Sequence, residues 1–207
     1  MKMLLPLVMA TLLSVIAPGA MAEEAPAAYA PCATCHGAAG EGNPALNAPA
    51  LAGQLASYTE RQLQHFRSGV RGADSRDTLG MQMNGMAMVL SEADTPAVAS
   101  WLAGLPLAPV TAPAQGDLKN GNNFYQAKCG ACHGGKAEGN EALNAPALAG
   151  LDTDYIRRQY LNFQSGIRGE HPDDKYGRQM KMMSTSLPGD SDLDDVIAFI
   201  HSLAASQ

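Results

Sequence analysis

Apolar residues along the chain form one unbroken block and then a series of short clusters at helical spacing. The block runs from Leu4 to Ile16, with Lys2 before it and the small-residue ending Ala20-Met21-Ala22 after it. That layout predicts a secretory signal peptide over 1–22, cleaved before Glu23. A retained membrane anchor is the competing interpretation, but Pro6, Pro18 and Gly19 leave little unbroken apolar length to span a bilayer. Further along, SYTERQLQHFRSG (57–69) opens with Ser57-x-x-Glu60, a capping-box pattern, and sets Tyr58, Gln62 or Leu63, and Phe66 on one helical face. A counterpart is expected from about 154 to 164. SEADTPAVASWLAG (91–104) has Ser91-x-x-Asp94 as a start signal and Gly104 as a stop, with a counterpart over about 191–203. GDLKNGNNFYQAK (116–128) suits one more helix. No strand-type alternation separates these segments, so the expected class is all-α.

The clusters come in pairs. Shifting the chain by 97 residues lays GNPALNAPALAG (42–53) on GNEALNAPALAG (139–150), and QHFRSGVRG (64–72) on LNFQSGIRG (161–169). A period that long is a duplicated small domain rather than a solenoid unit. The predicted organisation is a first domain over 23–104, a proline-rich linker over 105–115 (LPLAPVTAPAQ), and a second domain over 116–207. Each half has fewer than a hundred residues and can bury only a modest core. Something besides the polypeptide is expected to help fill it.

Charge narrows the partners. The chain has 14 basic and 20 acidic residues; setting aside Lys2 of the leader, the net charge is −7. Nothing here could neutralise a row of phosphates, so nucleic acid is excluded as a partner. The acidic run DSDLDD (190–195) reads as a solvated helix start.

Candidate chemistry lies in two pentapeptides, CATCH (32–36) and CGACH (129–133), which hold all four cysteines of the chain. C-x-x-C-H is the pattern of covalent c-type haem attachment. Two thiols one helical turn apart bond the two vinyl groups, and the adjoining imidazole reaches the iron from the same side. A dithiol redox site would not need the histidine twice, and a zinc site would need a second ligand pair nearby. Structural disulfides are permissible in an exported chain, but they too leave the paired histidines unexplained. The sequence therefore predicts two haem c groups, bonded at Cys32, Cys35, Cys129 and Cys132, with His36 and His133 as iron ligands.

The opposite axial ligand has to come from His65, His171, His201 or a methionine. No histidine of those three has a histidine partner under the 97-residue shift, whereas Met83 pairs with Met180 and Met86 with Met183. Methionine clusters also serve as flexible core filler. The repeat leaves both methionine pairs open.

The CxxCH, the N-A-P-A-L-A-G, the S-G-x-R-G and the methionine-bearing segment before a terminal helix resemble class I cytochrome c domains. Their tandem arrangement is similar to the di-haem cytochrome c4 family over essentially the whole mature chain. The resemblance implies that the ligand methionine precedes a G-x-A-x-x-L-S-like run, which selects Met83 before NGMAMVLS and, in the second copy, Met180. It also implies that Pro49 and Pro146 offer carbonyls to the other nitrogen of each histidine. Arg71 and Arg168 then either pair with haem propionates or are solvated surface residues. Tyr58 and Tyr155 either bond propionates or pack in the core, with packing preferred. Only EEAPAAYAP precedes Cys32, so the first helix of the family should be short or absent in the first domain.

His/Met ligation favours Fe(II) and leaves no open coordination position, which points away from catalysis. The resemblance thus implies a periplasmic electron carrier, not an enzyme, between redox protein partners and delivering towards a terminal oxidase of a respiratory chain. The alternatives are a di-haem subunit of a sulfide- or alcohol-oxidising dehydrogenase and a small di-haem peroxidase. The last would need a five-coordinate iron, which matched methionines oppose.

Overall fold

The computed structural model describes residues 24–205; the expected signal peptide lies outside them. Among the described residues there are nine α-helices and no strand. The first half contains α1 (Ala30–His36), α2 (Ala56–Ser68), α3 (Thr78–Val89) and α4 (Thr95–Gly104). The second contains α5 (Leu118–Phe124), a π-helical turn (Tyr125–Cys129), α6 (Gly130–His133), α7 (Thr153–Gln164), α8 (Lys175–Met183) and α9 (Asp190–Ala204). None of these helices is long and apolar enough to cross a membrane.

The expected helices form, with two differences at their starts. Ser57 does not cap α2: the helix begins one residue earlier, at Ala56, without a side-chain cap, and the Ser57 hydroxyl is buried. Gln54, just upstream, accepts from the Leu55 N–H at 3.0 Å, so a different side chain meets the backbone there. The Ser91–Asp94 pair does close on itself, hydroxyl to carboxylate at 2.5 Å and Asp94 N–H to hydroxyl at 3.1 Å. Helix α4 follows from Thr95.

Helices α3 and α8 carry the methionine clusters; α3 shows little helical periodicity, whereas α8 separates its apolar residues from Lys175, Arg178 and Lys181. Their starts are set locally. Asp77 accepts from the Gly80 N–H and Asp174 from the Gly177 N–H, satisfying one orphan donor at each N-terminus.

Each half has its own core. Tyr29, Leu90, Val98, Trp101 and Leu102 form the first. The second is built on Tyr125, Leu187, Leu193, Val196, Ile197 and Ile200. Tyr29 stacks on Trp101 at 4.7 Å, and Tyr125 on Phe199 at 5.6 Å. The two tyrosines also play matching polar roles, donating to the carbonyls of Gly37 (2.8 Å) and Gly134 (2.7 Å). Tyr125 lies four residues before its first cysteine and Tyr29 only three. The π-helical turn takes up that extra residue, so both hydroxyls reach the same place.

Among the described residues a short 3₁₀ turn, Ala27–Tyr29, is the one element before α1, where the second half has α5 against α9. That contact needs glycine: a Cβ on Gly121 would fall 2.0 Å from the Asp195 carbonyl oxygen. The acidic start of α9 turns out to be engaged. Asn120 donates to Asp192 (2.9 Å) and Asp195 (2.8 Å), Asp117 N–H donates to Asp195 (2.7 Å), and Asp194 pairs with Arg157. The segment joining α4 to α5 is held down by buried His201. Its Nδ1 accepts from Ala114 N–H at 3.0 Å, so its Nε2 donates to the Leu151 carbonyl at 3.0 Å, which fixes a neutral tautomer. Burial, the larger effect, pushes its pKa down.

Gly121→Ala is expected to lower stability by about 1–3 kcal/mol through overpacking between α5 and α9. Gly85→Ala, in α3 with open space around it, is expected to raise stability by about 0.5–1 kcal/mol by restricting the unfolded chain. Thermal unfolding of the two variants should move in opposite directions.

Candidate functional site

Helix α1 places Cys32 and Cys35 one turn apart and ends on His36. In the second half the π turn ends on Cys129, and α6 carries Cys132 and ends on His133. No disulfide joins the four cysteines; Cys35 and Cys132 are exposed and the other two half-buried. Burial pushes the Cys32 thiol up, and burial with the nearby Cys132 raises Cys129 to about 11.

Both histidines are buried and held in the same way. His36 Nδ1 is 2.8 Å from the Pro49 carbonyl, and His133 Nδ1 is 2.9 Å from the Pro146 carbonyl. A carbonyl only accepts, so Nδ1 carries the proton and Nε2 keeps the lone pair. Burial depresses both pKa values, opposed by the bond to the proline carbonyl. The result is a neutral, oriented imidazole with one free donor atom.

The proline is delivered by a loop that folds back over the motif. Gly42 N–H bonds the His36 carbonyl, and Asn43 N–H bonds the Ala48 carbonyl, each at 2.8 Å. Gly42, at φ +82°, passes so close to residue 50 that a Cβ would lie 2.5 Å from the Ala50 nitrogen. The second half repeats this with Gly139 and Asn140.

Met83 and Met86 lie on α3, and Met180 and Met183 lie on α8, at matching turns. Met83 and Met180 are half-buried and the other pair is more exposed.

The structure brings Arg71 and Arg168 together between the halves, only 7% and 8% exposed, so neither is a solvated surface residue. Arg71 donates to Gln62 (2.8 Å) and, across the interface, to Gln159 (3.0 Å) and Tyr155 (3.2 Å). Arg168 mirrors it, donating to Gln159 (2.8 Å), Gln62 (2.8 Å) and Tyr58 (3.2 Å). The tyrosines therefore join a polar ring rather than a plain apolar core. Around the ring, Arg61 reaches Asn144, Arg158 reaches the Asn47 carbonyl, and Gln54 pairs with both backbone groups of Ala147. None of these outer residues was singled out by motif reasoning. Their signal was the repeat itself, since Arg61, Gln62 and Asn47 match Arg158, Gln159 and Asn144 at the 97-residue shift.

In the ring both guanidinium groups meet neutral acceptors, and the Nε of each is buried without a partner. Buried cations of this kind call for carboxylates. Paired thiols, an imidazole with a free Nε2 and a cationic cradle together fit a covalently held porphyrin bearing carboxylates. The residues fit haem c.

The cytochrome c family model matches residues 22–106 and again 118–204. The chain belongs to the cytochrome c family. A thiosulfate dehydrogenase electron acceptor of Stutzerimonas stutzeri is 34% identical over 77% of this chain and 74% of its own. A cytochrome c4 of Pseudomonas aeruginosa is 30% identical over 70% of this chain and 71% of its own. The crystal structure of reduced recombinant cytochrome c4 from Pseudomonas stutzeri superposes with a TM-score of 0.66 at 26% identity, covering 84% of this chain and 93% of that one. This cytochrome c is a tandem, cytochrome c4-like, di-haem electron carrier with two covalently bound haem c groups.

Replacing Gln62 of this cytochrome by leucine strips one acceptor from both Arg71 and Arg168. A loss of about 1–3 kcal/mol is expected, read as a lower melting temperature of the holoprotein. Gln62→Glu, which restores an acceptor facing both cations, should recover most of it.

Proposed function

We propose that the chain is exported to the periplasm and carries single electrons between protein partners without catalysing a reaction of its own. The observation that carries this is the twin arrangement of His36 on Pro49 and His133 on Pro146, each leaving Nε2 free in a neutral ring. Haem c supplies one-electron exchange between Fe(III) and Fe(II). Cys32, Cys35, Cys129 and Cys132 would anchor the two groups, and His36 and His133 would bind iron through Nε2. Met83 and Met180 would be the second iron-binding residue of each half, and such a soft thioether would favour the reduced state and raise the potential. Arg71 and Arg168 would hold propionate carboxylates through their free Nε atoms by charge-assisted hydrogen bonds.

On this reading the fixed imidazoles keep ligand movement small during electron exchange. The likeness to cytochrome c4 supports delivery towards a terminal oxidase. Similarity to a thiosulfate dehydrogenase electron acceptor supports a dehydrogenase as donor. The two fit one route, with the carrier between dehydrogenase and oxidase.

A redox titration followed by absorption spectra tests the ligand assignment. Met83→Ala and Met180→Ala are each expected to remove the sulfur-to-iron absorption of one haem and to lower that haem's potential, leaving the other unchanged. Unaltered spectra in both variants, with losses in Met86→Ala and Met183→Ala instead, would overturn it.

A further inference from the structure

The duplication supplies an internal control: surfaces serving only the fold should resemble each other in the two halves. Helices α3 and α8 do not. They share their buried positions, with Gly80, Ala87 and Leu90 matching Gly177, Ser184 and Leu187, all buried. They diverge on the solvent side. Met81, Met88 and Val89, which are 49%, 67% and 65% exposed, stand where the second half has Arg178, Thr185 and Ser186. Helix α3 carries no charged residue, whereas α8 carries Lys175, Arg178 and Lys181.

Helical geometry separates these side chains from the proposed ligand. At about 100° per residue, Met81, Met88 and Val89 lie about 120–160° around the helix from Met83. Iron ligation therefore does not account for them. The second half also exposes Met182, at 70%, but at these three matched positions it is polar or charged; exposed apolar side chains grouped on one surface mark an interaction site.

The patch is continuous with the first cofactor site. Val89 and Met86 line a groove of about 150 Å³ together with Ala28, Pro31, Cys32 and Leu90. The groove lies beside the 3₁₀ turn, and among the described residues no counterpart of α5 stands before this motif. Its surroundings are acidic. Asp94 lines it, Glu92 is 86% exposed at its side chain, and Glu24 is exposed upstream of the 3₁₀ turn. Arg67, nearby, is engaged with the carbonyls of Ala87 and Leu90 and lies 3.9 Å from Glu92, whose side chain stays largely in solvent.

We propose that the solvent face of α3 and the adjoining groove are the docking surface of this carrier for a redox protein whose own contact patch is apolar at the centre and basic at the rim. Electrons then enter or leave through the first domain, beside Cys32. The acidic rim steers the encounter, and the methionines, flexible and polarisable, adapt to the partner's apolar centre. This rests on the carrier function proposed above.

The test uses the holoprotein in stopped flow. A basic mono-haem cytochrome c serves as the protein probe, and hexacyanoferrate(III) as a small oxidant that needs no docking surface. The triple variant Met81→Gln, Met88→Thr, Val89→Ser is expected to react about tenfold more slowly with the protein probe. Its haem content, potentials and hexacyanoferrate rate should remain those of the wild type. Glu92→Gln should flatten the fall of the protein rate with salt. An unchanged protein rate in the triple variant would overturn the proposal, as would an equal loss with both oxidants. A wild-type dimer that the triple variant dissociates would also overturn it, making a second copy the occupant. If the wild-type holoprotein fails to exchange electrons even with hexacyanoferrate, the carrier function falls instead, a result separable from all of these.

Discussion

The hydrogen bond from an imidazole Nδ1 to a proline carbonyl thirteen residues along the chain, made at His36 and again at His133, is the constraint on which the rest depends. It settles three things together. The ring is neutral, its orientation is fixed, and Nε2 is its only free donor. The local backbone is shaped to make this bond: the helix ends on the histidine, a glycine with positive φ turns the chain back, and the loop bonds to the histidine's own carbonyl. The cysteines then fall one turn away on the same segment, so a single short helix and one loop assemble an anchored metal ligand. The small cores on either side have little else to organise around.

Duplication adds a second constraint, the seam between halves. Arg71 and Arg168 exchange partners across it, each sharing Gln62 and Gln159 as acceptors. Two buried cations hydrogen-bonded to neutral groups call for carboxylates; Asp77 acts on Arg71, and on the proposed reading haem propionates would supply more. On that reading the seam would tie cofactor binding to the packing of one half on the other. Because the two arginines share Gln62 and Gln159, a change of charge beside one acts on the other through buried protein. Symmetry is broken where the first half lacks α5, and again on the outer face of α3.

Much of this was legible in the sequence. The doubled pentapeptides, the 97-residue shift and the periodic segments near 57–69, 91–104, 154–164 and 191–203 indicated two helical halves, each with its own haem c. Other features were hidden for physical reasons. Helix α3 lacks a clear apolar stripe, since its methionines are spread around the helix and it carries no charged residue to mark a solvent face. Ser57 and Glu60 matched a capping box by spacing, yet the helix cap falls at Leu55, two residues before Ser57, beside Gln54, whose side chain meets the Leu55 N–H and the backbone of Ala147. The acidic DSDLDD run looked solvated because its partners, Asn120 and Arg157, are distant in sequence. The π turn at Tyr125–Cys129 had only a faint trace, the one-residue difference in spacing between each tyrosine and its first cysteine.

The central claim is that each pentapeptide holds its own porphyrin by covalent bonds. The intact mass of the exported protein, measured after acid–organic extraction that removes non-covalent haem, tests it most directly. The account predicts the mature polypeptide plus two haems, falling to one haem when Cys32 and Cys35 are both replaced by serine. A mass equal to the polypeptide alone, or lighter by two hydrogens for each cysteine pair, would contradict it.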